Sequence, residues 1–251
     1  MAETEIKHKD RRPVMKLRKI SFLLAALFIS TQSMAAFTLN GTRIVFDGGN
    51  KNVSFEVTNH SPDTWGGQVW IDNSSMPEGT VTLIPAPTIF KVDGNQKQVV
   101  RILNVNEDLL PKDRESLYYI NVQEIPPAPK STGGSVVSLA MNTRVKLMYR
   151  PKGLAEGRTS AEKKLRLENR GGVSVLVNPT PYYFAIVGLY NGTSAKKGSR
   201  INLKSSDMKL LSAMAPYSEV SLGQRVTPPF TVDAIDDYGA TRSYTPGAEE
   251  K

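Results

Sequence analysis

The sequence predicts an all-β protein made of two β-sandwich domains. Apolar and polar residues alternate in short runs, as they do in strands that bury one face. The clearest runs are residues 42–46, 52–57 and 67–71. Turn-forming sequences such as Asp47-Gly48-Gly49 and Asp93-Gly94 separate the runs at intervals of about ten residues. The sequence contains no long amphipathic helical stretch, and this combination favours an antiparallel sandwich.

The two domains are expected at residues 36–155 and 156–251. The strand pattern stops at Arg150-Pro151-Lys152-Gly153, and the polar stretch 155–164 that follows is typical of a linker. Short strands resume beyond it at residues 173–177, 182–187, 201–203, 219–222 and 230–232. A chain of 251 residues has room for two domains of roughly 100 residues each.

Residues 1–35 are expected to be an N-terminal extension that includes a secretory signal peptide. A basic segment after Met15 leads into an apolar run at residues 22–29, and small residues follow at Ser33 and Ala35. This order predicts cleavage after about Ala35. The apolar run is far shorter than the roughly twenty residues of a membrane-spanning helix, so we expect no membrane span. Residues 1–14 fit either a long n-region or an upstream start.

Composition excludes several classes of function. The chain has no cysteine, which rules out thiol catalysis, disulfides, zinc ribbons and iron–sulfur clusters. Its net charge of +8 falls to +4 once residues 1–35 are removed, because 25 Lys and Arg then face 21 Asp and Glu. These cations are scattered, apart from Lys163-Lys164 and Lys196-Lys197 in polar stretches. The pattern predicts no nucleic-acid binding.

Motifs of catalysis are missing as well. His60 is the only histidine after residue 35, and the sequence has no HExxH motif, no phosphate-binding glycine loop and no nucleophile elbow. Two S-x-x-K matches, at Ser160 and Ser206, lack the companion motifs of the enzymes that use this pattern. We therefore expect no enzymatic activity, no cofactor, no metal and no ATP binding.

The segment at residues 136–149 is the most informative. Every second residue is apolar over most of its length, which predicts one long strand with one apolar face. It is either a core strand or, because it far exceeds the usual five or six residues, a strand with one end beyond its own sheet. An overhanging end would offer unpaired backbone, together with Val137, Leu139 and Met141, to another protein.

Five motifs in this order resemble one known family. They are TRIVFDG at residues 42–48, LPKDRESLYYIN at 110–121, RVKLMYRP at 144–151, NPTPYY at 178–183 and IDDYG at 235–239. On the basis of these five motifs, the sequence is identified as a member of the periplasmic pilus chaperones of the chaperone/usher pathway, which include the P-pilus and type 1 pilus chaperones. The eight-residue segment 128–135 and the lack of cysteine resemble the short-loop subgroup.

The resemblance implies two immunoglobulin-like domains in a boomerang arrangement and a periplasmic chaperone that is not an enzyme. Its partners would be pilus subunits, which it stabilises by donor-strand complementation, and an outer-membrane usher. Val137, Leu139 and Met141 would fill the groove of the subunit. Arg43 and Lys146 would hold the C-terminal carboxylate of the subunit.

Three further residues are assigned by the same resemblance. Arg101, Glu115 and Asp237 match an ion-pair network between the domains, which would orient them. Lys146 lies about 17 Å along the strand from Met141 and in the opposite register. Either a bulge interrupts the strand or the two side chains face different ways.

Two other classes of protein are weighed against the chaperone. One is a structural pilus subunit or adhesin, and the other is a different secreted β-sandwich binding module. Subunits usually carry a cysteine pair, which this chain lacks.

Overall fold

The computed structural model describes residues 35–73, 77, 79–128 and 138–247. Strands dominate these residues, and they form four sheets around two separate cores. The predicted all-β class and the predicted pair of sandwiches are both confirmed. No helix within the described ranges is long and apolar enough to cross a membrane.

Within the described ranges, the first sandwich contains nine strands in two sheets. They are β1 (Phe37–Leu39), β2 (Arg43–Asp47), β3 (Asn52–Asn59), β4 (Trp65–Asn73), β5 (Leu83–Ala86), β6 (Ile89–Val92), β7 (Lys97–Asn104), β8 (Ser116–Ile125) and β9 (Asn142–Arg150). One sheet has the order β1-β3-β7-β5 and the other has the order β2-β9-β8-β4-β6. All neighbouring strands are antiparallel except β2 and β9, which are parallel. A short 3-10 helix spans Glu107–Leu109.

Alternation along each strand builds the core of this sandwich. Phe46, Phe55, Val100, Ile120 and Leu147 come from five different strands, and all of them are buried between the two sheets. Each buried aliphatic or aromatic side chain contributes about 1.5–3 kcal/mol to folding. The apolar residues that predicted the strands are therefore also the ones that join the sheets.

The second sandwich is smaller. Its elements are 3-10 helices at Glu156–Arg158 and Ala161–Lys164, then β10 (Arg166–Arg170), β11 (Val173–Val177), β12 (Ile186–Asn191), α1 (Ser205–Leu211), β13 (Glu219–Ser221), β14 (Phe230–Ile235) and β15 (Thr241–Tyr244). Two three-stranded sheets have the orders β10-β11-β13 and β12-β14-β15. Phe184, Leu189, Phe230 and Val232 are buried in their shared core.

The segment expected to be a solvated linker, residues 155–164, is packed against the second sandwich. Arg158 donates hydrogen bonds to both carboxylate oxygens of Glu162 at 2.8 and 3.0 Å, and both side chains are buried. The guanidinium of Arg158 also lies 5.4 Å from the centre of the Phe184 ring. Polar composition suggested exposure, but the charges here neutralise each other inside the fold.

The long strand predicted at residues 136–149 is shorter than expected. β9 begins at Asn142, and before it the backbone carbonyl of Met141 accepts a hydrogen bond from the amide of Glu124 at 2.8 Å. The ladder between β8 and β9 ends at Gln123 and Asn142, two residues before β8 itself ends at Ile125. Leu139 is 75% exposed and Met141 is 52% exposed. Val137 lies outside the described residues.

Candidate functional site

Arg43 and Lys146 lie side by side where the two sandwiches meet. Arg43 opens β2 and Lys146 lies within β9, and the parallel register of the two strands makes these residues direct neighbours. Both line a small pocket whose opposite wall comes from the second sandwich and includes Phe184, Ala185 and Ala213. The structure therefore brings together the two cations that the sequence singled out.

Both cations reach across to backbone carbonyls of the second sandwich. The Nη1 atom of Arg43 donates a hydrogen bond to the carbonyl oxygen of Ile235 at 2.9 Å. The Nζ atom of Lys146 donates one to the carbonyl oxygen of Ser212, the residue that follows α1. The Nε atom of Arg43 is buried and has no acceptor among the described residues. One charged donor thus remains unbonded.

The electrostatics of the pair follow from burial and like charge. Burial, followed by the neighbouring charge of Arg43, lowers the pKa of Lys146 to about 8. Burial also lowers the pKa of Arg43, against the opposing effect of Asp237. The two cations bond to neutral carbonyls, while the acidic residues Glu115 and Asp237 line the same pocket. Lysine and arginine would make charge-assisted hydrogen bonds to a carboxylate.

Beside the cation pair, a buried ion-pair network connects the two sandwiches. Arg150 contacts Glu115 at 2.7 Å and Asp237 at 2.8 Å, and Arg158 approaches Asp237 at 3.4 Å. Glu115 also accepts a hydrogen bond from the amide of Tyr183 at 2.7 Å. Burial raises the pKa of Glu115, although the charge of Arg150 opposes this effect. The network holds residues from both sandwiches in one arrangement.

The assignment of Arg101 to this network is wrong. Arg101 lies on β7 opposite Ser54 and Ala86, in the sheet that does not contain β9, and its side chain is exposed. It forms no ion pair with any residue that the structure describes. Arg150 takes its place, because it lies on the same face of β9 as Lys146, four residues further along.

Arg150 was missed although the sequence held a signal for it. In a strand, residues two and four positions apart share a face, so Lys146 predicts that Arg150 points the same way. Arg158 had no such signal, because its segment reads as polar loop. Glu115 and Asp237 are in the network as the resemblance implied.

The two faces of β9 separate the cations from the apolar residues. Val145, Leu147 and Tyr149 belong to the core of the first sandwich, whereas Lys146 and Arg150 point to the junction. The register with β8 is unbroken from Asn142 to Tyr149. Of the two alternatives left open by the sequence, the structure thus supports opposite faces and not a bulge.

One edge of β9 is open next to the cation pair. β8 pairs with β9 from Asn142 onward, but β2 pairs with the other edge only from Lys146 to Arg150. Within the described part of the chain, no strand pairs with that edge over residues 142–145. Unpaired backbone donors and acceptors of this kind accept an additional strand. The open edge leads directly to Arg43 and Lys146.

Two sandwiches, a cation pair at their junction and an open strand edge beside it are features that suit the binding of an extended chain. Comparison with known proteins gives the family. Residues 36–155 match the model for "Pili and flagellar-assembly chaperone, PapD N-terminal domain". Residues 160–246 match that for "Pili assembly chaperone PapD, C-terminal domain". The chain belongs to the PapD-like pilus-assembly chaperones, and the predicted membership is confirmed.

Individual relatives agree with this result. The chaperone protein FanE of Escherichia coli is 46% identical over 231 residues, which cover 91% of this chain and 98% of FanE. The chaperone protein FaeE of Escherichia coli is 36% identical over 230 residues, 91% of this chain and 85% of FaeE. The solved structure of the periplasmic chaperone SfaE has a TM-score of 0.60 at 28% identity, covering 83% of this chain and 99% of SfaE.

Proposed function

We propose that this chaperone binds the C-terminal strand of a pilus subunit along β9 and holds its terminal carboxylate with Arg43 and Lys146. The open edge of β9 ends at these two cations, and this observation carries the proposal. The chaperone acts through binding alone, as a protein that is not an enzyme. It keeps the subunit soluble and passes it to an outer-membrane usher.

The position of β2 sets the direction of the bound strand. β2 occupies the edge of β9 from Lys146 onward, so an incoming strand has the edge before that residue. Its carboxyl end must lie at the cations, and it therefore runs toward Lys146, in the same direction as β9. The path from Leu139 to Lys146 is about 23 Å long at the rise of a strand. A strand of seven or so residues fills it.

Exposed apolar residues before β9 supply the second part of the interaction. Leu139 and Met141 are mostly exposed, and they lie at alternate positions of the segment that leads into the strand. Each contributes about 1.5–3 kcal/mol when it is buried in the groove of a subunit, before ordering costs. Val137 continues the series as a third apolar residue. Pairing through the backbone does not depend on the side chains of the subunit, so one chaperone can bind several related subunits.

The two cations, Arg43 and Lys146, supply the third part of the interaction with the subunit. A terminal carboxylate can accept hydrogen bonds from Lys146 and from the guanidinium of Arg43, whose buried Nε is unbonded. Hydrogen bonds between charged groups are about twice as strong as neutral ones. A carboxylate is present at the end of every chain, so this anchor fixes the register of the subunit without reading its sequence.

The setting of this function is the periplasm. We propose that residues 1–35 are a signal peptide that is removed after about Ala35, and that the domains span residues 36–155 and 156–251. The compact unit that holds both sandwiches begins at Ala36, which is only 6% exposed. Cleavage just before this residue would keep every strand that the structure describes.

Co-expression in the periplasm with the pilin of the same gene cluster tests the proposal. Arg43→Ala or Lys146→Ala should leave the chaperone folded and reduce the yield of soluble pilin by at least tenfold. Arg101→Ala removes an exposed cation from the other sheet and serves as the matched control with normal yield. Normal pilin yield with both cleft variants would overturn the carboxylate anchor.

A further inference from the structure

The pocket between the cation pair and the second sandwich is narrow. Its volume is about 10 Å³, and it is lined by the cations Arg43 and Lys146, the acidic residues Glu115 and Asp237, and a wall of Phe184, Ala185 and Ala213. A cavity must hold roughly 10–15 Å³ to accept one water molecule. The cations therefore lie close against this wall, and an incoming carboxylate must take their donors from the acceptors that hold them now.

The two cations themselves hold that wall in place. Arg43 donates to the carbonyl of Ile235, the last residue of β14, and Lys146 donates to the carbonyl of Ser212, just after α1. Carbonyls at the end of a helix lack a partner within the helix and need one from elsewhere. Lysine and arginine can supply such donors only while no stronger acceptor is present.

We propose that Arg43 and Lys146 form a latch that closes the free chaperone and opens when a carboxylate binds. In the closed state the cations bond to the carbonyls of Ser212 and Ile235. A carboxylate competes for the same donors, because a charged acceptor makes the stronger hydrogen bond. Its arrival frees α1 and the end of β14 from the first sandwich. The opening of the latch by a carboxylate rests on the proposed function, whereas the closed state of the free chaperone does not.

The ion-pair network provides the hinge for this movement. Arg150 bridges Glu115 and Asp237, and the amide of Glu115 donates to the carbonyl of Pro181 at 2.9 Å. No hydrogen bond or ion pair of this network includes Arg43 or Lys146, although Glu115 and Asp237 line the same pocket, so the network can remain when the latch opens. The second sandwich then swings about the network and stays attached. Coupling of this kind is reciprocal, so opening the latch and binding a carboxylate favour each other.

Distance measurement between two spin labels tests the latch in the free chaperone. The chain has no cysteine, so Lys91→Cys and Arg225→Cys place one label on an exposed site of each sandwich. The doubly labelled protein should give a narrow distance distribution. Adding Arg43→Gln and Lys146→Gln should widen it clearly, and each single change should widen it less. Arg101→Gln, the matched charge control, should leave it narrow.

The outcomes separate the latch from the anchor. An Arg43→Gln/Lys146→Gln protein that keeps its far-ultraviolet spectrum and its narrow distribution overturns the latch. If the same protein also fails to protect the pilin, the anchor stands without the latch. A wide distribution together with normal pilin protection supports the latch and rejects the anchor. A double variant that fails to fold is replaced by the two single variants, for which an unchanged width again overturns the latch.

Discussion

Arg43 and Lys146 are neighbours in the parallel pairing of β2 and β9, and each donates a hydrogen bond to a carbonyl of the other sandwich. The pair places two charged donors at the end of an open strand edge, and it joins the two sandwiches. We propose that these contacts serve as the carboxylate anchor and as the latch. The predictions below test these two roles and the contacts around them.

Binding should weaken as the pH rises through about 8. The pKa of Lys146 is lowered to about 8, so this side chain loses its charge above that pH. A bound carboxylate favours the charged form, so binding takes up a proton in alkaline solution and becomes less favourable there. Titration of the chaperone with the C-terminal peptide of its pilin, from pH 7 to about pH 9.5, measures the effect. Lys146→Arg should flatten the profile, and equal alkaline weakening in that variant would contradict the assignment.

A charge at residue 139 should abolish the groove contact. Leu139→Asp exchanges a mostly exposed leucine for a carboxylate that cannot enter an apolar groove. We expect at least a tenfold loss of co-purified pilin, since burial of this side chain contributes about 1.5–3 kcal/mol. Ile89→Asp is the control, because Ile89 is 68% exposed on β6. Equal pilin recovery with Leu139→Asp and wild type would remove Leu139 from the binding segment.

The network at the junction should stabilise the fold through Glu115 and not through Arg101. Glu115→Gln leaves the buried guanidinium of Arg150 with one fewer charged partner, and breaking a buried pair costs about 3–5 kcal/mol. Arg101→Ala should change the free energy of unfolding by less than about 0.5 kcal/mol. Urea denaturation measures both. A larger loss with Arg101→Ala than with Glu115→Gln would restore Arg101 to a structural role.

The pair Arg158 and Glu162 should behave as a unit. Arg158→Met leaves the buried carboxylate of Glu162 unpaired and should destabilise the protein by about 3–5 kcal/mol. Adding Glu162→Leu removes that charge and should recover most of the loss. Thermal unfolding of both variants tests whether residues 155–164 belong to the folded second sandwich. Full stability of Arg158→Met would return this segment to the status of a linker.

The sequence predicted many of the strands, because alternation is a local signal that each strand carries by itself. Residues 201–203 were predicted as a strand and form none, and the strand predicted at 182–187 lies at Ile186–Asn191. It could not show the parallel pairing of β2 with β9, since the two strands are far apart in the chain and pairing leaves no local pattern. The roles of Arg43 and Lys146 therefore came from the family resemblance. The short reach of β9 was missed as well, because β9 begins at Asn142, opposite Gln123 of β8, and not where its own alternation begins.

Buried charges were the least predictable feature. Arg158 and Glu162 read as exposed because charged residues are usually on the surface, and only their mutual contact allows burial. The position of Arg150 could have been predicted from its spacing to Lys146, because two residues four positions apart share a strand face. Arg101 shows how far a resemblance can be relied on by itself. An arginine would suit the ion-pair network, but Arg101 lies on β7, in the sheet that does not contain β9.

The carboxylate anchor is tested most directly with two forms of one peptide. The C-terminal peptide of the pilin is titrated into the chaperone by calorimetry, once with a free carboxylate and once as the amide. The account predicts that the amide binds at least tenfold more weakly to wild type, and that this difference disappears in Arg43→Gln/Lys146→Gln. Equal affinity of the two peptides for wild type would contradict it.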